Sequence, residues 1–258
     1  MNRSSTSGQS EEINGMRMYY EVRGQGEPLV LLHGFAGAGS NWALIFKDPP
    51  GGYQLVVPDL RGHGQSTNPS GQFTLRQSAL DVFALLDRLG IKRFKAIGMS
   101  AGGKTLLHMA TQQPARVEAM VLVSAAPYFP EQARAIMRQM TAEGRTEDEW
   151  QLMRQWHKHG DEQIRALWMQ GNSFKDSYDD MNFTPPYLST ITAQTLIVHG
   201  DRDPLYPVSI AVEMYAAISG SYLWIIPNGG HGPIFGDLKE SFVETAMAFL
   251  RGEWRRLR

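Results

Sequence analysis

Residues 93–110 constrain the chain more than any other stretch. Arg93-Phe94-Lys95-Ala96-Ile97 reads as a strand, Gly98-Met99-Ser100-Ala101-Gly102-Gly103 as a glycine-crowded turn, and Thr105-Leu106-Leu107-His108-Met109-Ala110 as the start of a helix. The turn fits G-x-S-x-G, in which a serine projects from a sharp strand-to-helix corner. Such a corner strains the serine's backbone, and the flanking glycines remove side chains that would clash. The helix behind it aims its first N–H groups at negative charge forming beside the serine. The same letters satisfy a rival pattern. Gly98-x-x-x-x-Gly103-Lys104-Thr105 fits the phosphate-cradling G-x-x-x-x-G-K-[ST], which also lies between a strand and a helix. A plain glycine–serine turn is the third reading, and the rest of the chain has to decide.

On both sides the same rhythm recurs. Met16 to Val22 reads as a strand after an Asn14-Gly15 turn. Pro28-Leu29-Val30-Leu31-Leu32 is a continuous apolar run, the signature of a strand buried on both faces of a mostly parallel sheet. Gln54 to Val57, Val117 to Val123, Thr195 to Val198 and Tyr222 to Ile226 repeat it. Between them, Leu75, Ala79, Val82, Leu86 and Leu89 recur at helical spacing until Gly90, and Val208 to Ile218 and Leu238 to Leu250 form later helices. Alternation of this kind predicts an α/β fold with a mostly parallel sheet of about eight strands flanked by helices. Ligands of such sheets bind beyond the carboxyl ends of the strands. His33 to Gly39, Pro58 to Ser66, the serine turn, His199 to Pro204 and Pro227 to Pro233 all follow strands, so they converge on one edge.

The rhythm breaks once. From Pro127 to Ser189 the patterns are helical (Glu131 to Ala142, Glu147 to His157, Asp161 to Gln170) and rich in Met and Trp. This segment reads as an inserted helical cap, residues 127–189, within a core domain of residues 13–126 and 190–258. Most of its apolar side chains serve to hold it together. Trp156 and Trp168, with Met99 of the serine turn, are expected to face an apolar substrate. His157 and His159 invite a metal reading, but they are two apart on different sides of a helix, and no further ligand is evident. No metal and no cofactor are expected.

Composition sets outer limits. At 258 residues, 42% hydrophobic and 20% charged, the chain suits one globular domain with an insertion. A formal net charge of -1 argues against a nucleic-acid or anionic-membrane binder. The basic C-terminal group (Arg251, Arg255, Arg256, Arg258) reads as a solvated helix end. With Cys 0 there is no disulfide framework, thiolate nucleophile or cysteine metal site. Residues 1–12 are polar, read as a disordered tail, and lack the apolar core of a secretory signal. No apolar run reaches membrane-spanning length. A cytoplasmic protein is expected.

A serine hydroxyl is a poor nucleophile unless a histidine takes its proton and a carboxylate orients that histidine. The chain offers Ser100, then Asp203 or Asp201, then His231, each after a strand. His33, His63, His108 and His199 sit in turns, mid-helix or at a strand end and have structural readings. Asp203 precedes Pro204 and so favours an extended conformation. Asp201 follows Gly200, where a carboxylate sets a turn.

HGFAGAG (33–39), PDLRGHGQS (58–66), GMSAGG (98–103), GDRDP (200–204) and GGHGP (229–233) occur in an order and spacing that resemble the capped α/β-hydrolase superfamily, over about Met16 to Leu250. The resemblance implies Ser100 as nucleophile, Asp203 as acid, His231 as base, and the backbone N–H groups of Phe35 and Ala101 as oxyanion donors. The phosphate-loop reading then loses, because Val121-Leu122-Val123-Ser124-Ala125 ends without the aspartate that would hold magnesium. Lys104 becomes a helix-surface or polar-contact residue.

The superfamily implies several reactions. Serine at the elbow argues against dehalogenases and epoxide hydrolases, which carry aspartate there. Carbon–carbon hydrolases have asparagine before the serine and tryptophan after the histidine, where this chain has Met99 and Gly232. Hydrolysis of a carboxylic ester with a hydrophobic part is the expected activity. Carbon–carbon hydrolysis, lactone hydrolysis and perhydrolysis stand as alternatives, and a ligand sensor that keeps the triad stands as an alternative of another class.

Overall fold

The structure is a computed structural model that describes residues 8–254. Eight strands form one sheet: β1 (Gln9–Ile13), β2 (Met16–Gly24), β3 (Glu27–Leu32), β4 (Tyr53–Pro58), β5 (Phe94–Met99), β6 (Val117–Val123), β7 (Gln194–Gly200) and β8 (Tyr222–Ile226). Their order is β1-β2-β4-β3-β5-β6-β7-β8, antiparallel at the β1 end and parallel from β4 onward. The apolar runs alternate between two cores. Val30, Leu32, Ala96, Met120 and Leu122 join one cluster, while Leu29, Leu31, Val121 and Val123 join the other. Burial on both faces is therefore why these strands lack polar alternation.

Helices α1 (Leu75–Arg88), α2 (Ala101–Gln112) and α7 (Val208–Ala217) bury their apolar residues in the first core, and α8 (Lys239–Leu250) in the second. Thr74 starts α1 by accepting the Gln77 N–H, and Gly90 at φ 72° follows its end. Between β6 and β7 lie α3 (Glu131–Met137), α4 (Glu147–Trp156), α5 (Asp161–Ser173) and α6 (Pro185–Leu188). The first stops at Met137 instead of Ala142. The carbonyls of Gln139 and Thr141 turn instead to the Arg145 guanidinium.

The expected disordered tail over residues 1–12 is corrected from Gln9 onward. Gln9 to Ile13 pair with Met16 to Tyr20 as a hairpin. Asn14 and Gly15 both take positive φ (45° and 74°), as a two-residue hairpin turn requires. The strand lacks an apolar signature because it is the sheet's edge, where only Ile13 is buried. Residues 1–7 and the basic group Arg255, Arg256 and Arg258 lie outside the described residues. Within those described, no helix is long and apolar enough to cross a membrane.

Candidate active site

Ser100 sits at the corner between β5 and α2 with φ 49° and ψ −110°, a conformation L-residues avoid. The glycines around it have steric causes. A Cβ on Gly98 would stand 2.6 Å from the Gly102 carbonyl, and one on Gly102 would stand 2.1 Å from the Leu32 oxygen. These contacts bring α2 hard against the ends of β3 and β5, so the serine stands above the sheet edge. Its own N–H donates to the Val123 carbonyl at 2.8 Å.

His231, in the loop after β8, reaches back over that edge. Its Nε2 lies 2.9 Å from Ser100 Oγ, and its Nδ1 lies 2.8 Å from Asp203 Oδ2. Asp203 is 6% exposed and spends its other oxygen on the N–H groups of Leu205 (2.8 Å) and Tyr206 (3.1 Å). Burial pushes its carboxyl upward, but the His231 imidazole and those two N–H donors outweigh it and hold it below the ordinary aspartate value. A carboxylate on Nδ1 favours the tautomer whose bare Nε2 can accept a hydrogen bond from the serine hydroxyl. Gly232, next to the histidine, donates its N–H to Ser124 Oγ at 3.3 Å. Asp201 is exposed, lies 4.0 Å from the Arg202 guanidinium and makes no hydrogen bond to His231.

The loop after β3 passes beside the serine, where a Cβ on Gly34 would lie 3.6 Å from Ser100 Cβ. The N–H groups of Phe35 and Ala101 find no acceptor among the described residues. For Ala101 the reason is general, since the first N–H groups of a helix have no carbonyl one turn earlier. Three buried histidines shape this loop from beneath. His33 bonds the Gly34 carbonyl through Nδ1 (2.8 Å) and accepts the Leu60 N–H at Nε2 (2.9 Å). His157 accepts the Gly64 N–H at Nδ1 (2.9 Å) and bonds the Ala36 carbonyl through Nε2 (3.1 Å). His63 lies between them, its ring 5.2 Å from that of His33 and 6.1 Å from that of His157. With both nitrogens engaged, His157 is a latch from the helical segment to the core, not a free ligand.

Burial pulls His33 and His157 down to about 4, and His63 well below its ordinary value. Unfolded histidine titrates near 6.5, so above that pH these residues are neutral in both states. As pH falls from 6.5 to 4, the unfolded chain binds protons that the fold refuses, and stability drops. The loss is on the order of 3 kcal/mol each for His33 and His157. Asp59, pushed up to about 6 by burial, works in the opposite sense and offsets part of it. Urea unfolding at pH 7 and pH 4.5 is expected to show a markedly lower midpoint at the acid pH; equal midpoints would contradict this reading.

A cavity of about 350 Å³ lies along the loop after β3 and reaches Met99, the residue before the serine, although Ser100 itself is not among its lining residues. Met99 and Trp156 line it, together with Phe35, Met153, Leu44 and Phe235. Trp168, expected at the substrate, is not among the lining residues. It is buried within the helical segment, packed edge-on against Trp150 at 4.5 Å and clustered with Met153, Ile164 and Leu167. Met153 was legible as a neighbour of Trp156 one turn away on α4; Leu44, in a short 3-10 turn, carried no signal. A larger groove of about 750 Å³ runs over α1, lined by Arg61, Gln77 and Phe83, and includes none of the serine-site residues.

A sequence model of the alpha/beta hydrolase fold matches residues 27–148. The chain is 27% identical to serine hydrolase BPHL of Mus musculus over 85% of this chain and 78% of that protein. It is 23% identical to the 2-hydroxy-6-oxo-6-(2'-aminophenyl)hexa-2,4-dienoic acid hydrolase of Metapseudomonas resinovorans, over 92% and 88% of the two chains. In three dimensions it is similar to the meta-cleavage product hydrolase of Pseudomonas fluorescens IP01, with a TM-score of 0.78 and 22% identity over 96% of this chain and 98% of that one. The sheet order, the serine corner and these likenesses agree: the chain has the α/β-hydrolase fold.

Proposed function

We propose that this chain is a serine hydrolase of carboxylic esters with a hydrophobic part, working through an acyl-enzyme on Ser100. The observation that carries the reading is the imidazole of His231, bonded on one side to Ser100 Oγ and on the other to Asp203. Ser100 Oγ attacks the ester carbonyl while His231 Nε2 takes its proton, and Asp203 stabilises the imidazolium. The N–H groups of Phe35 and Ala101 receive the oxyanion. His231 then protonates the leaving alcohol, and water, deprotonated by His231, releases the acid. Residues 127–189 act as a cap, supplying Met153 and Trp156 to an apolar pocket.

The carbon–carbon alternative fits the pocket less well. A Cβ on Gly232 would stand 2.7 Å from Met99 Cε, so Met99 occupies the space that a large side chain after the histidine would need. The test is a panel of p-nitrophenyl esters of rising acyl length, run beside a serine-reactive phosphonate. Turnover with labelling of Ser100 is expected. Tight ligand binding without turnover would favour a sensor instead.

Trp156→Ala is expected to shift the preferred acyl length by several carbons while changing the rate on the acetyl ester less than about threefold, since one pocket methylene is worth about 1–3 kcal/mol. Equal losses on short and long esters would make Trp156 structural and sink the pocket assignment.

A further inference from the structure

Lys104 stands four residues after Ser100 on α2 and is only 3% exposed, so of its two expected places, helix surface or polar contact, it takes the second. Its Nζ donates to Tyr206 Oη at 2.5 Å, and it lies 4.5 Å from the Tyr206 ring centroid and 4.9 Å from that of Phe129. Among the described residues no carboxylate makes an ion pair with it. A buried ammonium without a carboxylate partner is costly to the fold. Packing alone is better served by an apolar chain of the same length.

Tyr206 explains what the cation holds. The backbone N–H of Tyr206 donates to Asp203 Oδ1 at 3.1 Å, its carbonyl bonds His199 Nε2 at 2.9 Å, and its ring lies 5.6 Å from that of His231. The phenol is the remaining attachment point, and Lys104 takes it. Asp203 follows β7 and Ser100 follows β5, with β6 lying between those strands. The Lys104–Tyr206 contact therefore ties the helix that begins at Ser100 directly to the loop that carries Asp203.

We propose that Lys104 is a positioning residue for Asp203, anchoring the Tyr206 phenol to α2 and thereby fixing the backbone N–H that holds the carboxylate. The inference rests on the reading of Ser100, Asp203 and His231 as a catalytic triad. The surrounding titratable groups are Asp203, Asp180, Tyr206, His231, His199 and His108, the last 3.7 Å from an Asp180 oxygen. Burial pulls the Lys104 ammonium down to about 7 against the opposing pull of Asp203 and Asp180. The anchor is thus charged in acid and loses its proton as pH rises past neutrality.

The experiment compares wild type, Lys104→Met and Tyr206→Phe on p-nitrophenyl butyrate from pH 5 to 10, with active sites counted by phosphonate labelling. Lys104→Met keeps the apolar length of the side chain, and Tyr206→Phe keeps the cation but removes its acceptor. Both are expected to label at Ser100, to keep KM within about twofold and to lose about tenfold in kcat per labelled site, a modest displacement of a catalytic group. The wild-type kcat should also fall on the alkaline side as the anchor loses its proton, a limb that Lys104→Met lacks. Wild-type kcat and an unchanged profile in Lys104→Met overturn the proposal, whatever its Tm. If that variant does not fold, the kcat-against-KM split in Tyr206→Phe decides alone. A wild type that neither turns over nor labels brings down the triad reading itself, whereas a labelled wild type with indifferent variants brings down only the anchor.

Discussion

Ser100→Ala is expected to lower ester turnover by at least ~10³-fold, since losing the serine costs about 10⁶ in kcat in a serine protease. Stability should hardly change. Alanine inherits the same Cβ and the same strained φ of 49°, and the lost hydroxyl bonds only His231. Tm is therefore expected to stay within about 2 °C of wild type, the shift that a few tenths of a kcal/mol produces at this size. Mass spectrometry after phosphonate treatment should place the adduct on Ser100 in the wild type and find none in the variant. An adduct on another serine, or full activity in the variant, would end the proposed mechanism.

The second large effect separates two aspartates two residues apart. Asp203→Asn is expected to cost at least ~10² in kcat, against about 10⁴ for the corresponding change in a serine protease. An amide offers His231 Nδ1 no charge and permits the wrong tautomer, which leaves Nε2 protonated and unable to accept from Ser100. Asp201→Asn should cost less than about threefold, because Asp201 is exposed and touches neither His231 nor Ser100. The two variants measured on one ester decide the matter. A dead Asp201→Asn beside an active Asp203→Asn would reverse the assignment.

The sheet was legible wherever a strand is buried on both faces, because runs such as Leu29 to Leu32 have no polar alternative to their pattern. Ser100, Asp203 and His231 were expected at one edge because each follows a strand of the sheet, and the topology does bring them together there. β1 was hidden because Gln9 to Glu12 sit at the sheet's rim, where polar residues satisfy the exposed faces. Trp156 and Trp168 look alike in sequence, yet one lines the cavity and the other is sealed against Trp150. That difference depends on how α4 and α5 pack together, which periodicity does not encode. The structural roles of His157 and Lys104 were hidden for a related reason. Their partners, Gly64 and Tyr206, lie about 100 residues away in the chain, and nothing local marks a polar side chain that will be buried.

The register between β6 and β7 carries a kinetic consequence. Ala119 to Val123 pair with Gln194 to Val198, so about 70 residues, including α3 to α6, must close as a loop before these neighbours meet. Closing a loop of that length costs ~4 kcal/mol of chain entropy, unrewarded until the strands dock, and non-local pairing of this kind slows folding. Ser100 lies before the closure, and Asp203 and His231 lie after it. Ser100 and the imidazole that reaches it are therefore strangers in the nascent chain. A half-folded molecule can have the serine corner complete and still possess no chemistry.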